Sequence, residues 1–460
     1  MKKIKNSWNA FCNYLKENAK DPSLIRYEAN NSSSHGAGLT CGVMSVLVFV
    51  VYYKVAYAFC TVEGLQDMKA HAIFAQNFYL NPDEFFKTWL KVPHMLWHLV
   101  TKTFESRLGV PLWDAASLSF ALFGLFAFGI MTWFLYGFLK CHTGQKRLAF
   151  ASLGSAALSF VGPLIMAWFS DPYAGSFTPN PLHNPTHIAS KGFGMLAMMA
   201  GIDVIRRYRN ERPAFFQGKL VYLWFSIASL LSVLAKPTFM YMLLPAGILV
   251  ILLDLIAAAK KQLLENAEQK ERQGKKKSGK HGNASQLKAI WGAAWRLALA
   301  SLPACAYILT EYVALFYYGT ETGTSAVITE PFYVWHFFTW DIPTSVLLGM
   351  FFPIWMLVTN LGYFYKSAEG RLSVLGYAIG VLEFSFLAES GSRMDAANFS
   401  WCMMAGMTIF YAVALYRLML TSLQEKQSKS HTAYLIISWF LLFLHVYSGL
   451  SIYDVFAGIL

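Results

Sequence analysis

The sequence predicts an all-α polytopic membrane protein, and three observations lead to that prediction. Of the 460 residues, 56% are hydrophobic and 14% are charged, whereas soluble domains carry roughly 25% charged residues. The mean hydropathy is +0.39. Apolar runs recur along nearly the whole chain, and each is long enough to cross the hydrocarbon core as a helix of about 20 residues.

The apolar runs predict eleven spans separated by polar connections. They cover residues 39–60, 113–139, 147–169, 191–206, 219–235, 238–258, 290–318, 343–365, 372–389, 399–421 and 433–453. Residues 1–38 lack the apolar core of a signal peptide and are predicted to form a basic amphipathic segment on the cytoplasmic leaflet. Residues 39–460 then form one multi-span domain, with a charged cytoplasmic linker at 260–288.

The distribution of basic residues predicts the orientation of the chain in the cell membrane. The formal net charge is +12, but Lys and Arg concentrate in alternate connections, whereas the loops at 170–190 and 319–342 contain none. The positive-inside rule places the Lys- and Arg-rich connections in the cytoplasm. The N-terminus is therefore predicted inside and the C-terminus outside, and the charge does not indicate a nucleic-acid partner.

The first extracytoplasmic loop, residues 61–112, is longer than a connection requires and is predicted to contain amphipathic interfacial helices. These helices are expected to roof a cavity, with their aromatic residues in the headgroup region, namely Phe85, Phe86, Trp89 and Trp97. Asp67 and His71 lie four residues apart, so both side chains share one face of a helix. His94 and His98 repeat that spacing, but Met95 excludes the HExxH pattern of zinc proteases. The sequence indicates no definite cofactor. A divalent metal held by Asp67 and imidazoles remains open, as does a simple role for Asp67 as a helix-start residue.

The second extracytoplasmic loop carries a pattern typical of a helix start. In "HNPTHIASK", Asn184 followed by Pro185 predicts an N-cap and a proline at the first helical position. A helix N-terminus favours anions, and Lys191 lies about two turns further on, roughly 9 Å away. The "KPTF" stretch, with Lys236 before a proline, repeats the arrangement, although both patterns are also compatible with prolines that merely begin spans.

A third polar cluster lies in "ESGSRMDAANFSW", between predicted spans nine and ten. It contains Glu389, Arg393, Asp395 and Asn398 in a short extracytoplasmic turn. Arg393 departs from the positive-inside trend, so it requires either Glu389 as an ionic partner or an anionic ligand. The three clusters together suit a phosphate-bearing lipid substrate with a carboxylate close to it.

These motifs resemble those of the GT-C superfamily of integral membrane glycosyltransferases. The resemblance rests on an acid soon after span one, an amphipathic segment ending in "PHMLWH", the "HNPTHIASK" loop and the "KPTF" turn. It implies an inverting transferase that takes sugar from a polyprenyl-phosphate donor at the extracytoplasmic face and passes it to a glycan acceptor. Asp67 is then the implied base. The chain lacks the second acid that many members carry beside the first, which puts metal dependence in doubt.

The remaining candidate residues receive roles around that base. His71 is predicted to orient Asp67 or to bind a sugar hydroxyl. The implied phosphate ligands are the basic residues Lys191, Lys236 and Arg393. The other candidates for donor or substrate binding are His98, His183, His187, Glu389 and Asn398.

Two other functions remain open at this level. A transporter or flippase for a lipid-linked glycan also needs an outward cavity with basic residues, but it places ionisable groups near mid-membrane. Few charges fall there in this chain, and Arg296 and Glu383 come closest. A polysaccharide polymerase or ligase is marked by a large outer loop late in the chain, whereas the large outer loop here is the first.

Overall fold

The computed structural model describes residues 2–20, 36–61, 66–78, 94–143, 147–164, 177–272, 283–314, 327–391, 394, 397–424 and 428–457. These ranges hold sixteen α-helices and one two-stranded sheet. The helices are α1 Lys2–Lys20, α2 Ala37–Thr61, α3 Gln66–Gln76, α4 Met95–Leu108, α5 Leu112–Thr143, α6 Leu148–Phe160, α7 Pro185–Tyr208, α8 Leu220–Ala235, α9 Thr238–Arg272, α10 Asn283–Tyr312, α11 Tyr333–Phe338, α12 Ile342–Thr359, α13 Leu361–Lys366, α14 Ala368–Phe386, α15 Ser400–Ser422 and α16 Lys429–Ala457. The strands are β1 Val327–Thr329 and β2 Leu387–Glu389.

The predicted class, an all-α polytopic membrane protein, agrees with this architecture. Eight helices in the described ranges are long and apolar enough to cross a membrane, namely α2, α5, α7, α9, α10, α12, α15 and α16. The apolar helices α6 and α8 are shorter. Each of the eleven predicted spans overlaps at least one helix, but the exact number of spans remains a prediction.

Two predicted boundaries differ from the structure. The charged segment 260–288 is helical at both ends, because α9 continues to Arg272 and α10 begins at Asn283. The residues there are mostly Lys, Gln, Glu, Ala and Leu, which have high helix propensity. The predicted span 372–389 ends as a helix at Phe386, and its last three residues form β2.

The outer faces of several helices are apolar and exposed, as expected for contact with lipid. On α9, Ile248 is 58% exposed and Ile256 64% exposed, and on α10 Trp291 is 68% exposed. By contrast, every residue of α15 from Ser400 to Thr421 is buried. The bundle therefore has α15 at its centre and apolar side chains on its periphery, so a lipid bilayer is a plausible surrounding for it.

Glycine allows α14 and α15 to pack closely. A Cβ at Gly406 would lie 2.7 Å from the Cα of Tyr377, and one at Gly380 would lie 2.6 Å from the Cα of Met403. Small residues at helix crossings permit such backbone approach in membrane proteins. This contact holds the end of α14, and the β2 strand that follows it, beside the start of α15.

Charged groups lie at one end of the bundle, opposite the predicted site. Arg209 donates to both carboxylate oxygens of Asp254 at 2.8 Å, and Arg371 donates to the same carboxylate at 2.7 Å. Arg206 approaches Glu369 at 3.6 Å. Arg206 and Arg209 lie at the C-terminal end of α7, and Glu369 and Arg371 lie at the N-terminal end of α14, whereas Asp254 lies within α9. The polar motifs described below lie at the other ends of α7 and α14.

Candidate functional site

Helix α3 is the next described helix after α2, and Asp67 lies in its first turn. Oδ1 of Asp67 lies 3.5 Å from Nε2 of His71, one turn later, as the four-residue spacing predicts. The Asp67 side chain is 41% exposed and the His71 side chain 15% exposed. A ligand can therefore reach the carboxylate, while the imidazole supports it from the protein side.

The protonated nitrogen of His71 is determined by a chain of hydrogen bonds to α4. Nδ1 of His98 lies 3.2 Å from the carbonyl oxygen of His94, which only accepts hydrogen bonds, so Nδ1 of His98 carries the proton. Nε2 of neutral His98 is then an acceptor, and Nδ1 of His71, 3.0 Å away, must donate to it. Nε2 of His71 is consequently left with a lone pair that faces Asp67. Oδ1 of Asp67 and Nε2 of His71 are then two neighbouring acceptors, and both can accept a hydrogen bond from a substrate hydroxyl.

Burial favours the neutral form of both imidazoles. It lowers the pKa of His71 from 6.5 to about 3, with Lys236 and other histidines adding to the effect. Burial likewise lowers the pKa of His98 well below its ordinary value. Both rings are therefore neutral at physiological pH, as the hydrogen-bond chain requires.

This burial predicts a loss of stability in acid. Because the pKa of His71 is about 6.5 in the unfolded chain and about 3 in the folded protein, the unfolded state binds more protons between these values. The folding stability associated with keeping His71 neutral is fully present above pH 6.5 and is lost as the pH falls toward 3. We expect the unfolding temperature in detergent to fall over this window, and to fall less steeply in a variant carrying both His71→Gln and His98→Gln. An equally steep fall in that variant would contradict the assignment.

Asn184 joins the first loop to the start of α7. As predicted, it is the N-cap of α7: Oδ1 accepts from the backbone N–H of His187 at 2.9 Å, and Pro185 follows at the first helical position. Oδ1 also accepts from Lys236 at 3.2 Å. The Nδ2 group donates to Oδ2 of Asp67 at 2.9 Å. The oxygen of the Asn184 amide faces hydrogen-bond donors and its nitrogen faces the Asp67 carboxylate, so only one orientation of the amide satisfies all these bonds.

Lys236 ends α8 and lies under an aromatic ring. Its Nζ is 4.2 Å from the centroid of Trp401, within the range of a cation–π interaction. His183 and His187 contact the same indole, with ring centroids 5.5 and 5.6 Å from it. The Pro237 carbonyl accepts from the backbone of the first turn of α9, as predicted for a helix that starts at this proline.

A cavity of about 390 Å³ lies beside Lys236 at the same end of the bundle. Among its lining residues are the predicted candidates Lys236, Glu389 and Asn398. Asn398 donates to Oε2 of Glu389 at 2.9 Å, and Glu389 pairs with Val327 in the β1–β2 sheet. The short sheet thus holds Glu389 at the cavity wall.

Most of the predicted site residues converge on this region, whereas the ammonium group of Lys191 bonds to the loop before α7. Nζ of Lys191 donates to the Pro179 carbonyl at 3.3 Å and to Oδ1 of Asn180. Arg393 lies outside the described residues, so its pairing with Glu389 remains a prediction.

The predicted roof over the site is only partly described. Helices α3 and α4 lie within residues 61–112 as predicted, whereas Phe85, Phe86 and Trp89 lie outside the described residues. Trp97 was expected at the lipid headgroups, but it is fully buried. The reason is that α4 packs against α3 and α5, so the face with Trp97 turns toward the protein interior.

Sequence reasoning missed three residues of the site. Asn184 was identified as a cap, but its bond to Asp67 depends on the packing of elements far apart in the chain. Trp401 lies at the end of the third motif, three residues after Asn398. Its aromatic character was the sequence feature that could have indicated its contact with Lys236. Glu311 at the end of α10 accepts from the backbone N–H of His94 at 2.9 Å, and no local pattern indicates that contact.

The described residues contain no group of three or more His, Cys, Asp or Glu side chains arranged to hold a metal ion. The imidazoles of His71 and His98 bond to each other. A metal would have to break that bond to use the nitrogens that form it.

No protein-family model matches the chain, and no curated protein matches it. The function must therefore be inferred from the site itself.

Proposed function

We propose that this protein is an inverting membrane glycosyltransferase that moves a sugar from a polyprenyl-phosphate donor to a glycan acceptor at the extracytoplasmic face. The observation that carries the proposal is the position of Asn184 between Asp67 and Lys236. A base and a cation are thereby held on opposite sides of one amide. Inverting transfer needs a base for the incoming hydroxyl and positive charge for the outgoing phosphate, on opposite sides of the anomeric carbon.

The acceptor hydroxyl donates its proton to Asp67 as its oxygen attacks the anomeric carbon. Neutral His71 presents its Nε2 lone pair beside Oδ1 of Asp67, so the hydroxyl is oriented by two acceptors. The bond between the anomeric carbon and the phosphate oxygen breaks, and its electron pair leaves with the lipid phosphate. Lys236 and the N-terminus of α9 stabilise that charge.

The aromatic residues around this centre support a role in sugar binding. Trp401 lines the cavity together with Tyr241 and Tyr312, and aromatic faces offer apolar contact to sugar rings. The buried imidazoles and the packed α4 limit the access of water, which would otherwise hydrolyse the donor.

The proposal is tested by transfer assays in oriented membrane vesicles. Right-side-out vesicles containing the protein and a radiolabelled polyprenyl-phosphate sugar should label a membrane-impermeant glycan acceptor added outside. Inverted vesicles should not, and the product should have the opposite anomeric configuration to the donor. Transfer only in inverted vesicles would contradict the sidedness, and donor movement without any transfer would favour the flippase.

A further inference from the structure

Among the described residues that line the cavity beside Lys236, acidic side chains outnumber basic ones. Three glutamates line it, Glu311, Glu383 and Glu389, together with the ammonium group of Lys236. A phosphate suits only the side near Lys236. Elsewhere in the cavity, the wall presents the glutamate carboxylates to a bound ligand. When ionised, carboxylates accept hydrogen bonds and do not donate them.

Two polar atoms in the cavity wall require a partner. Oε2 of Glu383 and Oγ1 of Thr238 are buried, and neither has a hydrogen-bond partner within the described residues. The Thr238 side chain is only 4% exposed. Leaving such groups buried without a hydrogen bond destabilises the protein. A ligand with hydroxyl or amino groups would satisfy both atoms.

The volume and the walls of the cavity suit a sugar ring. The cavity is about 390 Å³, within the range of small-molecule sites. Aromatic walls, a threonine hydroxyl and acceptor carboxylates together match a ring with apolar faces and polar edges.

We propose that this cavity holds the ring of the transferred sugar and selects neutral or amine-bearing sugars over sugars that carry a carboxylate. This inference rests on the proposed function and adds the substrate class to it. A uronic acid would place a fourth carboxylate among the three glutamates, and like charges brought together in an interface repel strongly. Hydroxyl and ammonium groups donate to the same carboxylates.

The test measures sugar binding without transfer. The full-length protein in nanodiscs of zwitterionic lipid is titrated with methyl glucoside, methyl glucosaminide and methyl glucuronide, and binding is followed by saturation-transfer NMR. We expect the glucoside and the glucosaminide to bind, and the glucuronide to bind at least about tenfold more weakly. The glucuronide binding as tightly as the glucoside would overturn the selectivity, and no binding by any of the three would overturn the sugar site.

Matched variants locate the selectivity in the cavity. Glu383→Gln removes one wall charge and should narrow the difference between the glucoside and the glucuronide, whereas Glu330→Gln, on an exposed carboxylate that does not line the cavity, should not. If Glu383→Gln fails to fold, Glu389→Gln serves the same purpose. Equal effects of the wall variant and the Glu330 variant would overturn the assignment.

The result is independent of the transfer chemistry. The binding titration uses neither donor lipid nor acceptor, and it should give the same order of affinities in the Asp67→Asn protein. Loss of selectivity with transfer intact would overturn only this inference. Selectivity without transfer would overturn only the proposed function.

Discussion

Replacing Asp67 with Asn is expected to reduce sugar transfer by at least the roughly 10²–10⁴-fold typical of general-base loss. Asn keeps the size of the side chain, and its carbonyl oxygen can still accept from Nδ2 of Asn184. It removes the charge and the ability to take a proton. Initial transfer rates at saturating donor measure this effect, while thermal stability and donor affinity should stay close to the parental values.

Asp114→Asn provides the matched control. Asp114 lies in the first turn of α5 and accepts from the Tyr53 hydroxyl at 2.6 Å. It is an acidic helix-start residue at the same end of the bundle, so its neutralisation should leave transfer nearly unchanged. If Asp67→Asn transfers sugar at the parental rate, Asp67 is only a helix-start residue, and Glu389 or Asp395 becomes the leading candidate base.

His71→Ala should reduce transfer less than Asp67→Asn, because the carboxylate that takes the proton remains. The loss reflects poorer orientation of the acceptor hydroxyl, since the Nε2 acceptor beside Asp67 is gone. Comparing the two variants in one assay separates the base from its neighbour. A larger loss in His71→Ala would reverse the two roles.

Replacing Lys236 with Met is expected to weaken donor binding by about 1.5–3 kcal/mol, the usual contribution of a hydrogen bond to a charged group. This corresponds to an increase in Kd of roughly 10- to 150-fold. Folding should be retained, because Oδ1 of Asn184 keeps its bonds from the His187 backbone and the Thr186 hydroxyl. Equilibrium binding of a fluorescent polyprenyl-phosphate sugar to the purified protein measures the change.

Lys191→Met is the informative comparison, because the sequence motifs favour both lysines as phosphate ligands. The ammonium group of Lys191 bonds to Pro179 and Asn180, so its loss should lower the unfolding temperature and leave donor affinity nearly unchanged. The outcome that contradicts this distinction is an equal loss of donor affinity in both variants. Unchanged affinity in Lys236→Met would remove that lysine from the phosphate site.

The sequence by itself determined the class of the protein, the approximate helices and several local features of the site. Apolar periodicity and length specify helices that can cross a membrane, and the cap at Asn184 depends only on residues within one turn. The same holds for Asp67 and His71, since a four-residue spacing on a helix already brings the side chains together. Such contacts are local, so a sequence pattern suffices to predict them.

Only the tertiary structure decided which of these features meet. Asn184 contacts Asp67 across 117 residues and Lys236 across 52, and neither separation carries a local signal. Tertiary packing also turned Lys191 toward Asn180 and buried Trp97, although the helix-start motif and the family resemblance had suggested a phosphate ligand, and the amphipathic loop an interfacial residue. The physical reason is that the direction of a side chain across the bundle depends on how helices distant in sequence pack together, and periodicity within one helix does not specify that packing.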